Sequence, residues 1–190
     1  MDRILRPCLG VFAMLSLVTG VAYPLFVTGV SRLVFPTQSV GSVIEHEGRA
    51  VGSALLGQPF ASRSYFWSRP SATAPQPYNG AASTGTNQAP GNPALAVAIA
   101  ARVAALRAAD PGNTAPIPVD LVTASASGLD PHISVAAAEY QVARVAAARR
   151  MPADRVRELV AMHTDGRVLG VLGEPRVNVL ELNLALDGAR

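Results

Sequence analysis

Lysine is absent from this 190-residue sequence, and all 16 of its basic residues are arginines. The absence excludes three kinds of site: a phosphate-binding P-loop lysine, a Schiff-base lysine and a Ser–Lys catalytic dyad. Cysteine is almost absent as well, because Cys8 is the only one. A single cysteine excludes an intrachain disulfide framework and a cage of thiolate ligands around a metal.

Charged and aromatic residues are also scarce. Charged residues make up 15% of the chain and aromatic residues 5%, whereas about 25% charged residues is typical of soluble domains. The net charge is +3, of which Asp2, Arg3, Arg6 and Arg32 together contribute +2. The rest of the chain therefore carries no basic patch, and nucleic-acid binding is disfavoured.

Recognisable catalytic and metal-binding motifs are missing too. His46, His132 and His163 are not spaced as metal ligands. Ser125 and Ser127 lack the leading glycine of a nucleophile elbow, no glycine-rich phosphate fingerprint follows a predicted strand, and the carboxylates occur singly. We therefore expect a protein that is not an enzyme on its own and that holds no metal and no tightly bound cofactor.

What is present begins with an uncharged run of 25 residues from Pro7 to Ser31. A helix of this length rises about 37 Å, enough to cross a hydrocarbon core of about 30 Å. The alternative is a signal peptide cleaved near Gly20-Val21-Ala22, but the apolar run continues well past that point. With Arg3 and Arg6 before the run and Arg32 after it, the positive-inside rule predicts a cytoplasmic N-terminus and an extracytoplasmic domain.

The predicted organisation is a cytoplasmic N-terminus and membrane anchor over residues 1–35, followed by an extracytoplasmic domain over residues 36–190. Mixed helical and strand-like patterns predict a helix-rich α+β fold for this domain. Residues 72–93 form a long polar segment that is expected to be an irregular loop, either functional or disordered. Just before it, the aromatic run Tyr65-Phe66-Trp67 is either a hydrophobic anchor for that loop or a contact with a partner protein.

Helices are predicted over residues 94–109, 131–150 and 151–163. The second is expected to begin at Asp130-Pro131, a capping carboxylate followed by a proline at the first helical position. Gln141 and Arg144 share one of its faces, and apolar residues share another. Residues 168–173 are predicted to form a buried strand. The tail Val177–Asp187 is ambiguous, because its alternation favours a strand and its Leu, Glu and Ala content favours the helix that we prefer.

Several segments match a known family in the same order along the chain. They are the single apolar run, residues 52–58 (GSALLGQ), 65–72 (YFWSRPSA), 83–87 (STGTN) and 118–134, the helix with Gln141, Arg144 and Arg149, and residues 173–183 (GEPRVNVLELN). Together they resemble the KdpC family, the C subunit of the Kdp potassium-transporting P-type ATPase of bacterial inner membranes. The family usually has Gly where this chain has Thr84, so the local loop conformation is expected to differ there.

The resemblance implies a non-catalytic accessory subunit of an ATP-driven, high-affinity potassium uptake complex. The family's subunit is needed for assembly and is regarded as a catalytic chaperone that raises ATP affinity. The implied partners are a channel-like potassium-binding subunit, a P-type ATP-hydrolysing subunit, a small single-span subunit and the lipid bilayer. The resemblance also assigns nucleotide interaction to Ser125, Ser127, Gly128 and Gln141. This conflicts with the predicted topology, because ATP is scarce outside the cell, so ATP is expected only through the complex.

Contacts with partner subunits are expected from nine residues. They are Tyr65, Phe66, Trp67, Arg69, Ser83, Gly85, Asn87, Asp130 and Arg144. The uncharged loop over residues 79–92 is suited to the pore entrance of the channel subunit, because it presents no fixed positive charge to potassium. Two alternatives remain open at this point: a free-standing, membrane-anchored binding domain for a ligand in the cell envelope, and a nucleotide-binding regulator.

Overall fold

The computed structural model describes residues 2–189 and divides the chain into two compact units, Met1–Ala50 and Val51–Arg190. The first unit is mainly one long helical run. Helix α1 (Asp2–Leu17) continues through a π-helical turn (Val18–Ala22) into α2 (Tyr23–Val34). Within the described residues, Ile4–Val34 is the one helix long and apolar enough to cross a membrane. The candidate span predicted from the uncharged run is therefore present as a helix.

Short elements follow this helix. A 3-10 turn covers Gln38–Val40, and strands β1 (Val43–His46) and β2 (Arg49–Ser53) form a two-stranded sheet. The division between the two units falls within β2.

The second unit is helix-rich and contains one small antiparallel sheet. Its helices are α3 (Pro93–Ala109), α4 (Val135–Arg149), α5 (Ala153–Met162) and α6 (Val179–Gly188). Its strands are β3 (His132–Ser134), β4 (Thr164–Asp165) and β5 (Arg176–Asn178), with β5 in the centre. His132 pairs with Asn178 and Thr164 pairs with Val177. The helix-rich α+β class is thus confirmed, although its extracytoplasmic location remains a prediction.

The core of this unit lies between α4, α5, α6 and the aromatic run before the polar loop. Its largest fully buried side chains include Phe66, Leu106, Leu121, Ile133, Val142, Val145, Val156, Leu182 and Leu186. Residues 72–92 contain no helix or strand, whereas Pro93, the last residue of the predicted loop, is the first residue of α3. Asn92 caps α3 by accepting a hydrogen bond from the Ala94 N–H at 2.9 Å.

The predicted start of α4 at Asp130-Pro131 is wrong. Asp130 accepts a hydrogen bond from the His132 N–H at 3.0 Å, which closes a local turn, and residues 132–134 then pair with β5 as strand β3. The helix begins at Val135 instead, where Ser134 is the N-cap and accepts from the Ala137 N–H at 3.0 Å. A capping carboxylate followed by proline also initiates a turn, and here pairing with a distant strand decides between the two.

The buried strand predicted over residues 168–173 is also wrong. Val168, Leu169, Val171 and Leu172 are exposed, and they form the tip of a hairpin between β4 and β5. The backbone of Leu169 and Gly170 has positive φ, which turns the chain back on itself. The preferred helix for the tail is confirmed, because α6 covers Val179–Gly188, while Val177 and Asn178 belong to β5.

Candidate functional site

The aromatic segment, residues 62–71, is fixed to two helices by amide side chains. Asn183 of α6 accepts from the Phe66 N–H at 2.8 Å and donates to the Phe66 carbonyl at 3.0 Å. Gln141 of α4 accepts from the Trp67 N–H at 2.8 Å and donates to the Trp67 carbonyl at 3.2 Å. Each amide therefore pairs both backbone groups of a buried residue that lies in no strand, which removes a large desolvation penalty.

Gln141 has no hydrogen-bonding capacity left for an outside ligand. It is 1% exposed, its Nε2 also donates to the Ala137 carbonyl at 3.2 Å, and its Oε1 also accepts from Arg144 at 2.6 Å. The two amide hydrogens and the oxygen are all engaged inside the domain. Contact between Gln141 and a nucleotide would require this arrangement to break.

Two guanidinium groups lie over the Trp67 ring. The Cζ atoms of Arg102 and Arg144 are 5.2 Å and 5.0 Å from the ring centroid, within cation–π distance. Arg144 also donates to the Arg63 carbonyl at 2.6 Å, and Arg102 donates to the Ser68 carbonyl at 2.9 Å. Burial lowers the pKa of both guanidinium groups, and that of Arg144 falls to about 10. Arg144 is thus still a cation near neutral pH, and it is used to hold the aromatic segment.

Tyr65 marks the other end of this arrangement. Its hydroxyl donates to Asp187 at 2.9 Å, and Arg149 bonds to Asp187 at 2.8 Å and to the Ser64 carbonyl at 2.6 Å. The hydrogen bond with Asp187, and then burial, raise the pKa of the Tyr65 hydroxyl. Arg149 consequently ties α4, the aromatic segment and the end of α6 together.

The hydroxyl segment, residues 123–130, forms the surface on which the polar loop, residues 72–92, is held. The Ser127 carbonyl accepts from the Thr84 N–H at 3.0 Å and from the Ser83 hydroxyl at 3.1 Å. The Gly128 carbonyl accepts at 2.6 Å from the hydroxyl of Ser71, the last residue of the aromatic segment before the loop. The loop is therefore attached to the hydroxyl segment by backbone carbonyls, which depends on backbone shape more than on side-chain chemistry.

The serine hydroxyls predicted to be nucleotide-linked bond within their own turn. Ser125 accepts from the Gly128 N–H at 2.9 Å, and Ser127 accepts from the Leu129 N–H at 3.1 Å. Such hydroxyl-to-backbone bonds stabilise tight turns. In this structure both hydroxyls thus have a local structural partner.

Two glycines permit close approach between the polar loop and the hydroxyl segment. A Cβ atom on Gly85 would lie 2.8 Å from the Ala126 carbonyl oxygen, and one on Gly128 would lie 2.6 Å from the Thr84 carbonyl oxygen. Gly128 also has a φ of +66°, which side-chain-bearing residues rarely adopt. Thr84 is not among the described residues with positive φ. Its backbone therefore does not require a glycine at this position.

Asp130 joins the hydroxyl segment to the aromatic segment. Its carboxylate lies 3.0 Å from Arg69 and accepts from the His132 N–H at 3.0 Å. Tyr78 donates to the Arg69 carbonyl and so positions the same residue from the polar loop. Burial alone would raise the pKa of Asp130, but hydrogen bonds from His132 and the Arg69 guanidinium outweigh it and lower the pKa.

A shallow groove of about 560 Å³ runs beside the hydroxyl segment and includes Leu55, Leu56, Arg69, Ser125, Ser127 and Asp130 in its lining. Its one cation is Arg69, and Asp130 already pairs with it. A triphosphate is usually held by several cations or by a row of backbone N–H groups. The part of the chain that the structure describes also contains no group of three or more His, Cys, Asp or Glu side chains placed to hold a metal.

The residues predicted to contact partners fall into two groups in the structure. Phe66 and Trp67 are 0% and 7% exposed, and Arg144 is buried, so these side chains contact other parts of the same domain. Their burial supports the interpretation of the aromatic run as a hydrophobic anchor. Ser83 and Asn87 are exposed on the polar loop, while Tyr65, Arg69, Gly85 and Asp130 are partly buried.

Several residues of this network escaped the sequence-based prediction. Asn178 caps α6 and donates to the Ala54 carbonyl at 2.8 Å, and Asp120 accepts from the Ser134 N–H at 2.7 Å. A signal did exist for Asn183, since it is an amide directly between Leu182 and Leu184. A polar side chain in such a position is usually buried with a partner.

Fold and site together define a class of protein: a helix-rich α+β domain that follows a candidate membrane-spanning helix. Within this domain Gln141, Arg144, Asn183 and Asp130 bond to other residues of the same domain. A family model described as the K+-transporting ATPase, c chain (KdpC), matches residues 5–188. The chain therefore belongs to the KdpC family of potassium-transporting ATPase subunits.

Individual relatives agree with the family assignment. A potassium-transporting ATPase KdpC subunit of Ralstonia nicotianae is 65% identical over 183 residues, which is 96% of this chain and 90% of the relative. A protein with the same name from Sorangium cellulosum is 62% identical over 186 residues, or 98% of each chain. Another, from Polaromonas naphthalenivorans, is 60% identical over 190 residues, which is 100% of this chain and 97% of the relative.

Proposed function

We propose that this chain is a non-catalytic accessory subunit of a potassium-transporting ATPase and that it promotes assembly and stability of the complex. One observation carries the proposal: the segments that the chain shares with its family bond to one another. The Gly57 N–H donates to the Leu129 carbonyl at 2.9 Å, the Thr84 N–H donates to the Ser127 carbonyl at 3.0 Å, and Gln141 pairs with Trp67. These residues build a rigid body suited to docking, not a reaction centre.

The proposed partners are the channel-like potassium-binding subunit, the P-type ATP-hydrolysing subunit and the small single-span subunit of a bacterial inner membrane. We place the N-terminus in the cytoplasm and the domain outside, because Arg3 and Arg6 precede the candidate span and only Arg32 closely follows it. The polar loop is then the surface offered to the channel subunit. Ser83 and Asn87 are exposed there and carry no charge.

Any effect on the ATP affinity of the pump is proposed to pass through the complex, without direct contact between this chain and ATP. Three observations support this. Gln141 is fully engaged inside the domain, and the hydroxyls of Ser125 and Ser127 bond within their own turn. The groove beside them offers one cation, and that cation is already paired.

Deletion of the chain tests the accessory role. We expect a deletion strain to lose high-affinity potassium uptake and to yield less intact complex on native purification. Uptake and assembly at normal levels would contradict the proposal. Purification of the chain as a monomer, with no other membrane subunit bound, would favour the free-standing binding domain instead.

Nucleotide titration of the full chain in detergent tests the indirect route. We expect no saturable ATP binding by the wild type. Saturable ATP binding by both the wild type and Arg155→Ala, which changes an exposed ion pair, would overturn the indirect route if Ser127→Ala and Gln141→Glu each abolish that binding. Circular dichroism of each variant shows whether its fold is retained.

A further inference from the structure

The hairpin arm, residues 165–176, projects from the sheet, and every residue in it is exposed. At its base Asp165 pairs with Arg176 as β4 meets β5. Further out, Val168 and Leu172 exchange two backbone hydrogen bonds, at 2.9 Å and 3.0 Å. The arm is therefore a hydrogen-bonded extension of the sheet with a defined tip.

Four aliphatic side chains stand together at this tip without cover from the rest of the domain. Val168, Leu169, Val171 and Leu172 are 62%, 87%, 73% and 59% exposed. Single exposed aliphatic residues are ordinary, whereas a contiguous group marks an interaction site. Leu169 also has a φ of +54°, which is rare for a bulky residue. The fold thus holds these side chains outward although it gains no burial from them.

The base of the arm carries charges of both signs, and they are paired across its two strands. Arg167 lies 2.7 Å from Glu174, and Arg176 lies 3.7 Å from Asp165. From tip to base, the arm therefore changes from aliphatic residues to a charged collar, which consists of Asp165, Arg167, Glu174 and Arg176 and has no net charge. The same order, hydrocarbon and then a layer of mixed charges, is met on crossing from the core of a zwitterionic bilayer to its headgroups.

We propose that the tip of the hairpin arm inserts into the lipid bilayer and that its charged collar lies among the headgroups. A protein partner or a second copy of this chain fits the tip less well, because stable interfaces bury about 800 Å² per partner over roughly 20–30 residues. Val168–Leu172 is far smaller than that. A bilayer needs no shape complementarity, and the candidate span Ile4–Val34 keeps the domain at high effective concentration near it, so weak insertion is sufficient.

Fluorescence of the full-length chain in phosphatidylcholine vesicles tests the proposal. Cys8 is replaced by Ser, and the tip variant Leu169→Cys is labelled with an environment-sensitive dye. The matched control is Ala108→Cys, at an exposed position on α3 outside the arm. We expect the Leu169 label to show blue-shifted emission, quenching by nitroxide lipids and protection from aqueous iodide. The Ala108 label should be quenched by iodide alone, and adding Val171→Asp should abolish lipid quenching at position 169.

Three other outcomes would each overturn the proposal. Quenching of the Leu169 label by iodide alone, in the chain and in the purified complex, would show that the tip lies in water. Protection from both quenchers in the chain alone would indicate a second copy. Protection from both that arises only when the other ATPase subunits are present would indicate a protein partner. Circular dichroism of the labelled chain shows that the fold is intact in each case.

Discussion

Two side-chain amides in this domain form the backbone hydrogen bonds that a neighbouring strand would form in a sheet. Gln141 and Asn183 pair with the backbone of Trp67 and Phe66, residues that lie 74 and 117 positions away in the chain. Arg144 then orders Gln141 by donating to its oxygen at 2.6 Å. A Gln and an Arg one turn apart on a helix would ordinarily be read as a solvated face, but here both are buried.

Replacement of Gln141 by alanine should destabilise the domain. We expect Gln141→Ala to lower the free energy of unfolding by about 2–4 kcal/mol, because the Trp67 backbone groups and Arg144 lose buried partners. Urea unfolding of the full chain in detergent, followed by the fluorescence of the single Trp, measures this. Arg155→Ala, which removes an exposed ion pair with Glu158, is the control and should cost less than about 1 kcal/mol. Equal losses in the two variants would refute the structural role of Gln141.

Asp130 should make the stability of the domain depend on acid pH. Its pKa is lowered in the folded state, so its ionised form stabilises the fold above the ordinary aspartate pKa of about 3.9. That contribution is lost as the pH falls through the lowered folded-state pKa. We expect wild-type stability to fall more steeply on acidification below about pH 4 than that of Asp130→Asn. The stability of Asp154→Asn, which changes a 95% exposed side chain, should depend on pH as that of the wild type does. Identical slopes of stability against pH for all three proteins would contradict the assignment to Asp130.

Helices with strong local signals were predictable, and elements that depend on distant pairing were not. Helix α3 runs from Pro93 to Ala109, close to the predicted 94–109, because Asn92 caps it and Asp110-Pro111 ends it. The start of α4 was missed, since pairing of residues 132–134 with β5 overrides the local preference of Asp130-Pro131. The exposed tip over residues 168–172 was missed because an apolar run alone does not show whether anything covers it.

The candidate site, like the fold, could be predicted from the sequence only in part. The segments that carry the family resemblance could be named from the sequence, but their mutual contacts could not, because residues 67 and 141 or 84 and 127 meet only through the folded chain. Nor could the sequence show that Phe66 and Trp67 are buried, since an aromatic run fits an anchor and an interface equally well.

The contact between the polar loop and the hydroxyl segment should depend on the size of residue 85. In Gly85→Ala the new Cβ would lie 2.8 Å from the Ala126 carbonyl oxygen, so we expect the loop to detach while the core stays folded. Limited proteolysis should then cut within residues 72–92, with little change in urea unfolding. Gly91→Ala is the matched control in the same loop, because nothing lies within 4 Å of its Cβ position. Equal resistance of the two variants to protease would argue against a contact that depends on Gly85.

The side of the membrane on which the domain lies decides between the proposed accessory role and direct nucleotide contact. A candidate span near the N-terminus precedes a domain in which Gln141, Ser125 and Ser127 bond to groups of the domain itself. What the domain does therefore depends on which side of the membrane it occupies. On the cytoplasmic side it would meet ATP and the ATP-hydrolysing parts of the pump. On the outer side, the proposed channel partner would offer its potassium entrance to the uncharged polar loop, and ATP would be scarce.

We expect the domain to be outside. Alkaline phosphatase fused after Arg190 should be active in cells, and green fluorescent protein fused at the same point should be dark, because each reporter folds on one side only. Arg3→Gln combined with Arg6→Gln should reduce phosphatase activity, since the predicted cytoplasmic N-terminus rests on the positive charge of these two residues. A double substitution of Arg155 and Arg157 by Gln, far from the candidate span in sequence, is the control and should leave the orientation unchanged. A fluorescent fusion without phosphatase activity in the wild type would place the domain in the cytoplasm, and direct nucleotide contact through Ser125–Gly128 would then have to be considered again.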